Sequence, residues 1–123
     1  LANLVDLPRT LLSVAGQTAP QEFQGTELTR ILSGESDSVQ DAVLVEMRAT
    51  ESTLIQHTLM TDRHKLVVYK HTDEGELYDL HADPDQYVNL WQDKPVLRSE
   101  LLHRFARFHM EREPGGPNRM SFA

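Results

Sequence analysis

Cysteine is absent from the 123 residues, which excludes a disulfide framework, a thiolate metal site and a thiol nucleophile. The redox compartment is left open. Positive charge is also scarce: twelve Lys and Arg against nineteen Asp and Glu give a net charge of -7. That balance repels a polyanion and removes the counterion release that drives nucleic-acid binding, so DNA and RNA are not expected partners. No apolar run approaches the ~20 residues that cross a bilayer, and the opening LANLVDLPRT has no basic segment leading into an apolar one. Neither a membrane span nor a signal peptide is expected, and cytoplasmic and periplasmic locations stay equally open. The chain starts without methionine inside what reads as a helix, as a piece of a longer protein would.

What is present is ordinary for a folded domain: 39% hydrophobic and 25% charged residues, in a length that buries one core but not two. The segment LANLVDLPRTLLSVAG places Leu4, Leu7, Leu11, Leu12 and Ala15 on one face at helical spacing. Pro8 is tolerated in the first turn and Gly16 stops the helix. The following Gly, Pro, Ser and Gln, around Phe23, Leu28, Ile31 and Leu32, predict an anchored connector with one helical turn.

Three strand-like runs come next, AVLVEM, TLIQHTLMT and HKLVVYK, and GELYDL makes a fourth. Short polar corners between them, Thr61 to Arg63 and HTDEG, predict hairpins and a four-stranded antiparallel meander. After the turn-rich HADPDQYVNLWQD, the segment KPVLRSELLHRFARFHM aligns Leu97, Leu101, Leu102, Phe105 and Phe108 in one stripe. Burying these five side chains contributes roughly 1.5–3 kcal/mol each before conformational entropy is set against it, enough to hold a helix on one face of a small sheet. The fold class is therefore α+β: a four-stranded antiparallel sheet packed against a C-terminal amphipathic helix, preceded by a short N-terminal helix and loop. REPGGPNRMSFA reads as a loose tail, and no internal repeat is present.

Six histidines raise the question of a metal. His64 and His71 are an odd number apart on strands, and His103 and His109 are six apart on a helix, so neither pair chelates locally. Solvated or capping roles are the expectation. Asp79, Asp83 and Asp85 do not follow the calcium-loop spacing and read as turn formers. Arg48, Arg63, His64 and Lys65 lie at strand ends and in turns, where side chains could hold an anion; solvated ends are the plainer reading. G-x-S-x-G, a phosphate-cradling glycine loop and H-E-x-x-H are all absent.

In order along the chain, DLPRTLLSVAG, FQGTELTRIL, TDRHKLVVY and GELYDLHADPDQYVNLW resemble the C-terminal portion of a sulfatase of the arylsulfatase-like family, within the alkaline phosphatase-like superfamily. They are similar to that family's D-L-x-P-T-L-L-x-x-A-G, Q-G-x-S-L-x-P-L-L, T-D-x-Y-K-L and E-L-Y-D-L-x-x-D-P-x-E-x-x-N-L. Pro8 stands one place early, and His64 replaces the usual Tyr or Trp before Lys65. The resemblance implies hydrolysis of sulfate esters by a formylglycine made from the Cys or Ser of C/S-x-P-x-R, beside a calcium ion. The residues two before the prolines at 8, 20, 84, 95, 114 and 117 are Asp6, Thr18, Ala82, Asp93, Arg112 and Gly115, so that motif is not in this sequence.

The resemblance thus places catalytic residues and metal ligands ahead of Asp6, in a catalytic domain that would be this segment's natural partner. Residues 1–38 are expected to end that domain, 39–112 to form a C-terminal subdomain, and 113–123 to be a flexible tail. The loop RATESTLIQH would border the cleft, with Arg48 and His57 choosing the organic part of the substrate. Alone, the chain is expected to be inactive and to self-associate or exchange its first helix through the Leu4, Leu7, Leu11 and Leu12 stripe. A related phosphonate monoester or phosphodiester hydrolase, and a stand-alone binding module, are the alternatives.

Overall fold

A computed structural model describes residues 1–48 and 54–112. The order of elements is α1 (Asp6–Val14), α2 (Thr29–Leu32), β1 (Ala42–Arg48), β2 (Ile55–Thr61), β3 (His64–Tyr69), β4 (Gly75–Asp79) and α3 (Pro95–Arg112). The four strands form one antiparallel sheet in the order β1-β2-β3-β4, which is the expected meander. The expected flexible tail, 113–123, lies outside the described residues.

Strand alternation sends Ala42, Leu59, Leu66 and Leu77 to one face of the sheet, where they form the core with Trp91 and Leu101. All five expected apolar residues of α3 take part: Leu101 is buried, and Leu97, Leu102, Phe105 and Phe108 pack around it. Lys94 stands immediately before α3, its carbonyl accepting the amide of Arg98, and Pro95 fills a first-turn position whose N–H would lack a helical partner anyway.

Between β4 and α3 the chain turns back along the outer edge of β4. Asn89 fixes this return: its side-chain oxygen accepts the amides of Leu77 and Trp91, and its side-chain nitrogen donates to the Gly75 carbonyl. The Leu90 amide then donates to the Leu77 carbonyl at 2.8 Å. The edge of β4 is thereby occupied by the chain itself, and Trp91 is delivered into the core over Gly75.

Two of the aspartates expected as turn formers, Asp79 and Asp83, take that role before this return. Asp79 accepts the amides of His81 and Ala82, and Asp83 those of Tyr87 and Val88. Asp79 also pairs at 2.9 Å with Arg63, which lies in the β2–β3 turn. That hydrogen bond, with the two backbone amides, lowers the Asp79 carboxyl from its ordinary 3.8 to about 2. The folded chain therefore holds this proton more weakly than the unfolded chain does. Its stabilising contribution is complete above pH of about 4 and is lost as pH falls towards 2. In acid titrations followed by circular dichroism, Asp79→Asn should flatten the loss of stability in this window; an unchanged acid limb would refute the assignment.

The N-terminal helix is built the other way round from α3. Its buried residues are Asp6 and Thr10, while Leu7, Leu11 and Val14, with Leu4 just ahead of the helix, face outward; Leu12, expected in the same stripe, is half-buried instead. The Asp6 carboxylate accepts the amides of Asn3 and Thr26 at 2.6 and 2.7 Å and the Gln40 side-chain amide at 2.9 Å. Thr10 donates its hydroxyl to the Asp6 carbonyl and accepts the Leu28 amide. Gly25 lies against this knot: a Cβ there would sit 1.9 Å from the Val5 carbonyl oxygen. Gly16 closes α1 with φ +70, as a C-terminal stop requires. Among the described residues no helix is long and apolar enough to cross a membrane.

Candidate functional site

The register of β1 and β2 sets Arg48 opposite Ile55 and Glu46 opposite His57. Alternation then puts Arg48, Glu46 and His57 on the helix-covered face, at the end of the sheet where β1 leaves towards residues 49–53, which lie outside the described residues. Here the sheet extends past the apolar core, and its inward face changes from Leu59 to His57 and from Leu44 to Glu46.

The two residues expected to border a cleft are thus brought together through a third. Glu46 lies 3.3 Å from the His57 ring and 3.9 Å from the Arg48 guanidinium. Arg48 is 71% exposed along its side chain and His57 only 21%. The guanidinium therefore reaches solvent beside its ion pair with Glu46, while the imidazole is held in place. His57 packs edge-on against Phe105, with ring centroids 6.1 Å apart, and against His109 at 5.6 Å. Phe105 and His109, one turn apart on α3, stack nearly parallel.

The remaining cations do not join this group. Arg63 is engaged with Asp79 at the β2–β3 turn, at the opposite end of β2 and about 20 Å away by strand rise. Lys65 donates to Gln86 and lies over the Tyr78 ring on the other face of the sheet. His64 sits beside Asp79, and burial pushes its imidazole below the ordinary value.

Glu46 and His109 were not singled out by sequence reasoning. Local spacing tests only neighbours on one element, whereas His57 and His109 meet across the sheet–helix interface. Two signals were nevertheless available. Glu46 occupies the inward phase of Ala42 and Leu44, where a carboxylate is out of place, and His109 continues the spacing of four set by Leu101 and Phe105. As for calcium, the oxygens of Asp79 and Asp83 are taken by backbone amides and Arg63, so this stretch does not fit a calcium ion.

Residues 1–110 match the family model described as N-sulphoglucosamine sulphohydrolase, C-terminal, and the chain belongs to this family of sulfatase C-terminal regions. Arylsulfatase K of Xenopus laevis is 30% identical over 111 residues, an alignment covering 82% of this chain and 21% of that protein. The solved structure of a 2-O GAG sulfatase superposes with a TM-score of 0.71 at 27% identity, over 85% of this chain and 23% of that one. A phosphonate monoester hydrolase from Silicibacter pomeroyi superposes with a TM-score of 0.76 over 89% of this chain and 25% of that one, at 20% identity, a likeness of fold alone. The chain spans about a fifth of the length of arylsulfatase K.

Proposed function

We propose that this chain serves as the C-terminal part of a sulfuric ester hydrolase and is inactive alone. In this reading residues 1–38 complete the catalytic domain, 39–112 form the C-terminal subdomain, and 113–123 are a tail. The single observation that carries the proposal is the inverted first helix. In a family of sulfatase C-terminal regions, α1 turns its polar residues inward and offers Leu4, Leu7, Leu11 and Val14 to another body. The catalytic domain is the partner this stripe fits, and without it the stripe leads to self-association.

That domain would bring the formylglycine, made from a C/S-x-P-x-R segment, and the calcium ion. This chain supplies Arg48 and His57 at the cleft border. Arg48, exposed to solvent, meets a negative or hydroxyl-rich leaving group, and His57, packed against Phe105, limits its shape. In the intact enzyme, Arg48→Ala and His57→Ala are expected to shift kcat/KM between pairs of sulfate esters by about tenfold, or 1–2 kcal/mol, while a small aryl sulfate is little affected. An unchanged ranking of esters in both variants would remove these residues from the cleft. The absence of a C/S-x-P-x-R segment in the rest of the reading frame would overturn the hydrolase reading itself.

A further inference from the structure

Glu46, His57 and His109 come from three different elements and bring one donor atom each within 4.8 Å of the other two. We propose that they bind a single divalent transition-metal ion of the zinc class.

Geometry is the first support. In a tetrahedral zinc site with bonds of about 2.0–2.1 Å, neighbouring donors stand roughly 3.3–3.4 Å apart. His57 Nδ1 and Glu46 Oε1 are already 3.3 Å apart, and His109 Nδ1 lies 3.9 Å from the same oxygen. Small side-chain rotations close the remaining distance. Glu46, exposed on an edge strand, is the ligand able to move.

Pre-organisation is the second. Glu46 and His57 are directly opposed across the β1–β2 ladder, so the backbone register fixes their spacing. Both imidazoles are restrained by rings: His109 stacks on Phe105 at 6.0 Å and an interplanar angle of 9°, and His57 meets both edge-on. Such contacts limit the rotamer freedom that metal binding would otherwise have to remove.

Donor chemistry is the third. Two imidazole nitrogens and one carboxylate oxygen form a borderline set that favours Zn²⁺, Co²⁺, Ni²⁺ or Cu²⁺ over the oxygen-seeking Ca²⁺ and Mg²⁺. Three protein ligands leave a fourth position open, and the 40% exposure of the His109 side chain lets water or an anion reach it. An ion here would tie the last turns of α3 to the β1–β2 end of the sheet.

Zn²⁺ titration of the full chain, free of any histidine tag, by calorimetry, with Co²⁺ absorption as a reporter of coordination geometry, tests the proposal. One ion per chain is expected, with a tetrahedral Co²⁺ spectrum and a rise in Tm on Zn²⁺ addition. His57→Ala and His109→Ala should each weaken binding at least tenfold, Glu46→Gln should weaken it without altering the fold, and Ca²⁺ should not compete. His103→Ala, on the same helix but outside the cluster, should leave binding unchanged. Should His57→Ala fail to fold, His109→Ala and Glu46→Gln carry the test, since both residues are partly exposed. No Zn²⁺ binding, or binding equally strong in His109→Ala and Glu46→Gln, would overturn it.

Discussion

Replacing Gly75 by alanine is expected to cost about 3 kcal/mol or more and to lower Tm by roughly 10 °C or more. The added Cβ would stand 2.4 and 2.5 Å from two carbons of the Trp91 ring and 2.6 Å from the Val67 carbonyl oxygen. Neither neighbour yields easily. The Val67 carbonyl belongs to the β3 backbone, and Trp91 is a core residue whose amide is held by Asn89. Moving the indole would disturb its packing and the Arg98 guanidinium 5.2 Å from its ring, and would pull the returning chain from β4. Because Trp91 is the one tryptophan, its fluorescence reports the displacement directly. Gly34→Ala is the control: it meets open space but carries φ +75, so it should cost only the ~1 kcal/mol of a left-handed residue. A Gly75→Ala variant with unchanged Tm and Trp91 emission would show that the close approach is not rigid.

The second large effect is expected at Asp6. Asp6→Ala removes the acceptor of two backbone amides and one side-chain amide at a site 1% exposed. Each buried donor left unpaired costs about 1–3 kcal/mol, so a total of roughly 2–4 kcal/mol is expected after partial relaxation. Asp6→Asn should recover part of this, because its single oxygen can still accept from Asn3 and Gln40 while its amide nitrogen would face the Thr26 amide. The damage should be local: α1 and the connector would loosen while the sheet and α3 hold together, since their shared core lies elsewhere. Hydrogen exchange would show this as faster exchange of the Thr26 and Leu28 amides with the β2 and β3 amides still protected. Uniform acceleration across the sheet would mean that the two regions unfold as one.

These two sites also mark how far the sequence is legible. The strands and α3 follow from alternation and helical spacing, because their burial is set by the sheet and by one stripe, both of which are local patterns. Asp6 is one letter of the opening helical segment, yet its role depends on Thr26 and Gln40, which no local pattern links to it. Asn89 and Gly75 are visible only as letters of a motif; that they clamp the returning chain and make room for the indole depends on where the chain goes after β4. The candidate site divides in the same way. Arg48 and His57 are named by the resemblance, but Glu46 and His109 join them only through strand register and helix docking. Spacing along a single element cannot show that His57 and His109 are neighbours, because they meet only across the sheet–helix interface.

The occupied edge of β4 has a consequence for assembly. An open sheet with two bare edges can add copies on both sides and grow without limit. Here the outer groups of Gly75 and Leu77 are spent on Asn89 and Leu90, which leaves β1 as the edge open to a second molecule among the described strands, and even there Asn3 donates to the Leu44 carbonyl. Joining through β1 would pair two copies about a two-fold axis and then stop, because the pair would present only closed β4 edges. The return of the chain along β4 is thus a safeguard against fibrillar growth, limiting any mispairing of this sheet to a dimer.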